Sequence, residues 1–393
     1  LEMDEKKRNK MIVILSLMAF FANGDNYAVA PLLINISKDL SINIESAALS
    51  VTAYMLAFGF FTIIFGPLGD RYGKTKIVNI AAFGTAIFSI LGSTAFNLKS
   101  LIFLRAMNGA FGAGIFPVTM ALVGESFEPS NRQKAIGKVM GMMFLGGASA
   151  TAIGGALAYF GSWRMVYLVY GIAELAIALV MLKALPKSPS VIDSLNFTGV
   201  YKKALANKNL TSVVGTIFLV GFSVFGSFTY SGKLLESRTG YTVLSVGLIL
   251  TLFGVATVIG GRKAAVVRQK LKNRFLLFAG FLGSISLFTI AYIKNPIYIG
   301  LALFGFGLAF VFLQSTLVTN AQEAMPQLRG TAMSLASFNM FVGGGIGTFI
   351  NGKILSTFNV GNIFAVAGIV IFIVGIIATN VVFKEQKKLK AAS

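Results

Sequence analysis

Three ionisable side chains interrupt otherwise apolar stretches of this 393-residue chain, and they are the residues least easily explained as packing. Asp25 lies in Asn23-Gly24-Asp25-Asn26-Tyr27, shortly before Pro31, in a run otherwise built of Met, Ile, Leu, Phe and Ala. Arg105 follows Leu101-Ile-Phe-Leu, with Asn108 and Gly109 one turn on, and Glu174 stands in a run with no basic residue near it. A charge in hydrocarbon costs on the order of 3 kcal/mol even on a lenient insertion scale, so each needs a partner, a wet cavity or a proton. The chemistry on offer is therefore proton binding and release. The chain has no His and no Cys, which removes imidazole relays, thiol chemistry, disulfides and zinc fingers, and leaves proton handling to carboxylates. Asp25 is about 14 residues from one end of its run and Arg105 about five from the opposite end of its own; at ~1.5 Å per residue both reach the same half of a membrane. They can form a structural ion pair that holds two helices together, or a pair that titrates. Glu174, about ten residues into its run, reads either as a proton or cation site or as a neutral acid hydrogen-bonded to a neighbouring helix.

A second concentration of chemistry is the stretch Gly66-Pro-Leu-Gly-Asp-Arg-Tyr-Gly-Lys-Thr-Lys76, between two apolar runs. So short a turn leaves both helix ends at one membrane face. Asp70 can accept backbone N–H groups at the next helix N-terminus, while Arg71, Lys74 and Lys76 face anionic headgroups. The whole stretch reads as a latch. Gly69 to Thr75 also approaches a phosphate-binding loop, but it is one residue short and follows an apolar helix, not a strand.

The elements that must carry these residues follow from composition. At 55% hydrophobic and 12% charged, the chain is too apolar for a soluble domain of its length. Its apolar runs have the ~20-residue length of membrane helices and lack the alternation of barrel strands. Twelve spans are expected at about 11–36, 46–66, 77–96, 100–123, 134–159, 164–185, 210–231, 244–266, 275–293, 296–319, 330–350 and 360–383. The net charge of +20 does not indicate nucleic acid, because the charges lie in alternate loops. Of the Lys and Arg residues, 26 fall on the face that carries the termini and 7 on the other, with Arg105 alone inside a span. That bias predicts a multi-pass protein with both termini in the cytoplasm. Met11 to Phe21, after four basic residues, resembles a signal peptide but continues apolar and contains Asp25, so it is taken as span 1. Leu1-Glu2 before Met3 has the look of an expression scar.

An internal repeat divides the spans. Pro129, Arg132 and Ala135 recur at Pro326, Arg329 and Ala332, a displacement of 197 that also carries Gly146-Gly147 onto Gly343-Gly344 and Arg71 onto Arg268. The expected organisation is a six-helix bundle at 1–185, a polar cytoplasmic linker at 186–209 and a second bundle at 210–393. The same displacement puts Phe222 at the position of Asp25 and Val267 at that of Asp70, so the acidic chemistry is confined to the first half. The 8–9 loop keeps positive charge only, which reads as headgroup anchoring. Span 5 carries a small-residue stripe, Gly137, Gly141, Gly146, Ala150, Gly154 and Gly155, repeated in span 11 by Gly343, Gly344, Gly345 and Gly347, which allows close helix approach. Asn23, Asn26, Tyr27 and Asn108 in the first half, with Phe222, Phe225, Phe228, Tyr230, Gln314, Ser315, Ser337 and Asn339 in the second, are candidates to line an apolar cavity with a few polar contacts. Trp163-Arg164 reads as an interfacial anchor. The sequon at Asn196 falls in the cytoplasmic linker and is discounted.

The loop at residues 66–76 resembles the major facilitator superfamily signature GxLaDRxGRR, with Gly66, Leu68, Asp70, Arg71, Gly73 and Lys74 in place and Thr75 where a second basic residue is usual. Arg105, Asn108 and Gly109 resemble the family's span 4 signature RxxqG, and span 5 departs from gxxxGPxxGG by having Ala150-Thr151 for the Gly-Pro pair. The resemblance implies an all-α membrane protein of twelve helices in two pseudo-symmetric bundles that rock about a midplane cavity. Within the family the chain is most similar to drug:proton antiporters and bacterial efflux permeases. It implies a monomer of the bacterial cytoplasmic membrane, not an enzyme, moving a small organic molecule, with membrane lipids as its surroundings and no metal or cofactor beyond the proton as coupling ion. Asp25, Arg105 and Glu174 would couple proton movement; Gly66, Asp70, Arg71, Gly73 and Lys74 would form the cytoplasmic gate and lock the outward-facing state. The missing Gly-Pro pair leaves open a symporter or facilitator that imports its solute. A sensor or lipid-handling protein that kept the fold but not the cycle is the third reading.

Overall fold

In lipid every backbone N–H and C=O must be satisfied inside its own segment, and long apolar runs accordingly become helices. The computed structural model describes residues 4–127, 129–190, 197–325 and 329–392, with backbone alone at 129–134, 137, 329 and 383–392. Among them the regular elements are helices: α1 Glu5–Tyr27, α2 Leu33–Asp39, α3 Ile44–Tyr72, α4 Lys74–Gly92, α5 Leu98–Gly112, α6 Ile115–Ser126, α7 Pro129–Phe160, α8 Trp163–Ala184, α9 Phe197–Ala206, α10 Lys208–Phe228, α11 Ser231–Thr239, α12 Val243–Leu271, α13 Phe275–Tyr292, α14 Pro296–Ala324, α15 Arg329–Thr357 and α16 Val360–Ala392. Ten described segments are long and apolar enough to cross a membrane. One of them, Val243–Tyr292, spans 50 residues and comprises α12 and α13 joined through the 3-10 turn Lys272–Arg274. With α1, whose Asn23, Asp25 and Asn26 dilute its apolar run, the twelve expected spans are accounted for. Spans 1, 4 and 7 are each broken in two, as α1/α2, α5/α6 and α10/α11.

The repeat is visible in the helix starts. Trp163 opens α8 and Val360 opens α16, a displacement of 197. N-caps recur as well: the Asn43 side chain accepts the Ser46 N–H and Thr242 that of Ser245, while Asn97 and Asn295 cap α5 and α14. Within each half the packing is equivalent: α1 lies on α7 and α10 on α15, α3 on α5 and α12 on α14, α4 on α8 and α13 on α16. Gly146 of α7 faces the backbone carbonyl of Phe20, and Gly343 of α15 that of Phe218, so a methyl at either position would collide with the neighbouring helix. These twin contacts correct the register of the first span of each half to a displacement of 198. Ser223, not Phe222, therefore corresponds to Asp25.

The halves meet along two seams, α3 against α15 and α7 against α12. At the end away from the termini the seams are tight. Gly155 approaches Gly247, Thr151 Oγ1 lies 3.2 Å from Thr251 Oγ1, and Gly232 of α11 rests on Ala30 and Pro31. Toward the terminus-bearing face Gly141 of α7 has nothing within 4 Å of where a Cβ would stand, whereas Gly66 of α3 lies beside Ser334 of α15. The linker between α8 and α10 contains α9, pinned by the Tyr201 hydroxyl donating to the Ile63 carbonyl at 2.9 Å. Leu1, Glu2, Asn196 and Pro326 lie outside the described residues, as do the side chains of Pro129, Arg132, Gly137 and Arg329.

Candidate functional site

Pro31 has no N–H to offer and crowds the residue before it, so the helix of span 1 stops at Tyr27 and resumes at Leu33. Asp25 thus stands in the last turn of α1. Gly109 lets α5 close onto α3: a methyl there would overlap the Tyr54 carbonyl. That approach places the Arg105 guanidinium 4.4 Å from the Tyr54 ring centre, with the Tyr167 ring of α8 4.9 Å away on another side.

Arg105 Nη1 is 3.2 Å from Asp25 Oδ1 and donates to Asn108 Oδ1 at 2.8 Å. Asn108 in turn donates from Nδ2 to the Thr85 carbonyl and hydroxyl, 2.9 and 3.1 Å away, which ties α5 to α4. Asp25 and Arg105 are each 1% exposed. Glu174 of α8 is fully buried and close enough to interact with the charges of both. Neither of its carboxyl oxygens has a hydrogen-bond partner among the described residues, and the same holds for Asp25 Oδ2, Arg105 Nε and the hydroxyls of Tyr167 and Tyr170. Tyr170 covers Gly24, where a Cβ would come within 2.7 Å of its ring. The site has one guanidinium for two carboxyls. With both ionised it carries one uncompensated negative charge in a dry environment; one added proton removes it. The arrangement can therefore store a proton, and its burial requires a rearrangement before that proton meets water.

The halves are joined beside this cluster by a chain of aromatic rings. Tyr54 adjoins Phe58, which stacks at 3.9 Å on Phe341 of the other half; Phe341 leads to Phe225 at 5.6 Å, Phe225 to Tyr27 at 5.9 Å, and Tyr27 to Phe228 at 6.1 Å. A cavity of about 20 Å3, room for about one water, lies between Asn26, Tyr27, Val51, Met55, Phe225 and Phe228. Of the expected cavity residues, Asn26, Tyr27, Phe225 and Phe228 line it, and Asn26 Oδ1 is buried without a partner among the described residues. Asn23 spends its amide on the Met143 carbonyl, and Asn339 on Leu335 of its own helix. Gln314 and Phe222 are half-buried, the former with an Oε1 that has no partner among the described residues. Asn108 and Tyr230 are not cavity residues: Asn108 is consumed by Arg105 and Thr85, and the Tyr230 hydroxyl donates to the Thr348 carbonyl at 2.8 Å, locking the span 7 break onto α15. Phe58 and Phe341, the cross-half stack, have no sequence signal beyond an abundance of Phe.

The 66–76 stretch differs from expectation in three respects. Residues 66–72 complete α3, so Gly66 lies in a helix and not in a turn. Asp70 caps no helix, because the start of α4 at Gly73 has no side-chain cap, and Lys74 does not face headgroups but is 3% exposed. Lys74 Nζ lies 2.9 Å from Asp70 and 2.6 Å from Glu125 at the end of α6. This triad belongs to one half and ties the 2–3 turn to span 4. Gly73, at φ +90, is the single residue between α3 and α4, and a side chain there would be strained and would strike Ser188. Thr75 receives the departing chain: its N–H donates to Ser188 Oγ at 2.9 Å and its hydroxyl to the Pro186 carbonyl at 2.5 Å. Arg71 stands over Tyr72 at 5.8 Å. Glu125 escaped sequence reading, although it and Glu128 are the acids at the terminus-bearing end of span 4.

Trp163-Arg164 is likewise no interfacial anchor. Trp163 is buried and donates from Nε1 to Asp39 Oδ2 at 3.1 Å, Arg164 pairs with the same oxygen, and Arg164 Nη2 donates to the Ala95 carbonyl at 2.8 Å. The Arg164 hydrogen bond, with help from Trp163, holds the Asp39 carboxyl below its ordinary range.

Residues 15–348 match the Major Facilitator Superfamily model. Over 357 residues the chain is 26% identical to an uncharacterized transporter of Buchnera aphidicola, covering 88% of this chain and 84% of that one. It is 23% identical over 357 residues to the uncharacterized MFS-type transporter YceJ of Bacillus subtilis, covering 88% of each. Among solved structures it resembles a bacterial homolog of the human lysosomal transporter Spinster, in an inward-facing and unoccupied conformation, with TM-score 0.76, 15% identity and 96% of each chain covered. It also resembles the nucleoside transporter NupG, with TM-score 0.78, 14% identity and 95% and 99% covered.

Proposed function

The chain belongs to the Major Facilitator Superfamily, and from that premise we propose that it is a proton-coupled antiporter that expels a small, largely apolar organic molecule from a bacterial cell by alternating access. The observation that carries the reading is the Asp25–Arg105–Glu174 cluster, two carboxyls around one guanidinium, buried beside the junction of the two halves. Protonation neutralises the cluster and loosens Arg105 from Asp25; deprotonation restores the grip, and the grip orders α1 against α5 and α8. Substrate lies between the bundles, where the rings of Tyr27, Phe58, Phe225 and Phe341 offer flat apolar faces and Asn26 a hydrogen-bond acceptor. Both termini are cytoplasmic in this scheme, as the charge bias supports, and the Asp70–Lys74–Glu125 triad keeps the inner ends of spans 2, 3 and 4 moving as one body.

A proton moving down 100 mV supplies roughly 2.3 kcal/mol, enough for about a fiftyfold gradient of a neutral solute. The test is flux in proteoliposomes after a pH jump, across a panel of apolar and polar solutes. Asp25→Asn should abolish uphill, pH-driven movement while leaving the protein folded. Wild-type uphill transport by that variant would reduce Asp25 to a structural role. One observation favours a second reading, uptake by symport: α7 runs without a break through Ala150-Thr151, where exporters of the family have Gly-Pro. Everted and right-side-out vesicles separate the two by the direction of substrate movement.

A further inference from the structure

The terminus-bearing end of the C-terminal half contains a cavity of about 530 Å3 between the end of α12, the 3-10 turn, α14 and α16. Its rim is basic and amide-bearing, with Arg268 and Lys272 beside Gln269 and Asn273, and no carboxylate lines it among the described residues. Its floor is apolar and deep: Phe275 is 1% exposed, Leu276 and Val382 5%. Neither Arg268 nor Lys272 takes part in a salt bridge among the described residues. Cations in the last turn of α12 complement the helix dipole, which accounts for the charge but not for the hollow beneath it. The other half shows the contrast. There the equivalent helix end is closed by Lys74 between Asp70 and Glu125.

We propose that this cavity binds the phosphodiester headgroup of an anionic phospholipid, with the phosphate at Arg268 and Lys272 and the upper part of an acyl chain against Phe275, Leu276 and Val382. A cationic rim over an apolar floor matches an amphiphile. A soluble phosphate would use the rim and leave the floor uncovered. The choice of lipid rests on the membrane-transporter reading above, in which this face meets the inner leaflet with its anionic lipids. An occupant there would bridge α12, α14 and α16, the helices that must move together when the C-terminal half swings.

The test titrates phosphatidylglycerol against the purified full chain in neutral-detergent micelles, reading bound lipid by native mass spectrometry. Arg268→Gln with Lys272→Gln should weaken binding about thirtyfold, as expected for two cations near a lipid phosphate. Arg262→Gln with Lys263→Gln removes the same charge outside the cavity and should change affinity less than about threefold. Inorganic phosphate and glycerol phosphate should fail to displace the lipid. Equal loss in both double variants would make the attraction diffuse, displacement by free phosphate would make this a soluble-anion site, and absence of bound lipid would remove the site; each overturns the proposal. The assay needs neither transport nor a defined orientation, so its failure leaves the antiport reading standing and the reverse also holds.

Discussion

The two halves solve one packing problem with different chemistry. Gly109 lets α5 close on the Tyr54 carbonyl, and Gly307 lets α14 close on the Phe253 carbonyl in the same way. Around the first contact stand Asp25, Arg105, Asn108 and Glu174; at the corresponding positions of the second stand Ser223, Leu303, Phe306 and Ile371, all buried. Ser223 settles its hydroxyl on the Ala367 carbonyl at 2.9 Å, and the rest is hydrocarbon. The fold thus has an apolar solution for this site and uses it in one half only. Because replacing a buried ion pair by well-packed apolar side chains is often neutral or stabilising, the polar version is not what packing alone requires.

The comparison breaks most sharply if the first half is rebuilt as the second. Arg105→Leu alone leaves two carboxyls without their cation and should cost about 3–5 kcal/mol, read as a fall in thermal unfolding in detergent. The triple change Asp25→Ser, Arg105→Leu, Glu174→Ile should recover that loss or exceed wild-type stability by about 1–4 kcal/mol, while abolishing pH-driven flux. A triple variant as unstable as the single one would mean that the surrounding helices have adapted to the ions, and the equivalence of the halves would fail. Next in size is Gly73→Ala, which forces a side chain into φ +90 and against Ser188; a loss of about 1–3 kcal/mol is expected, with no matching cost for Gly240→Ser at φ +67, where nothing lies within 4 Å and only the backbone preference opposes the change.

The smallest effect concerns the clasps at the end away from the termini. In the first half Asp39 recruits Arg164, which reaches the Ala95 carbonyl; in the second, Arg238 goes directly to the carbonyls of Ile290, Ala291 and Ile293. Only the first depends on a carboxyl that titrates. The Asp39 carboxyl is held below its unfolded value, so its contribution is complete above about pH 4 and is lost as pH falls through the folded value. Asp39 is 46% exposed, which limits the effect to about 1 kcal/mol or less. Asp39→Asn should flatten this part of the melting-temperature profile between pH 5 and 3, and an unchanged slope would remove the carboxyl from the clasp.

Much of this organisation is legible in the sequence because it is local. Span length, charge bias and a repeat near 197 residues are properties of the string, and a membrane allows few structures to satisfy them. That Asp25 and Arg105 share a depth also follows from counting, since both positions can be measured from helix ends. Lys74 shows where counting stops: its place in a turn argued for exposure, yet Glu125, distant in sequence, draws it inward.

By itself the sequence determined which segments are long and apolar enough to cross and, to within a residue, how they repeat, because hydrophobic length and loop charge are read one segment at a time. Only the tertiary structure decided which face each helix turns to its neighbours. That rotation brings Glu174 to the Asp25–Arg105 pair, stacks Phe58 on Phe341 across the halves and buries Trp163 under Asp39. An apolar run that is hydrophobic all round carries little record of it, so these contacts are set by where glycine lets two backbones close and by which helices the loops can join.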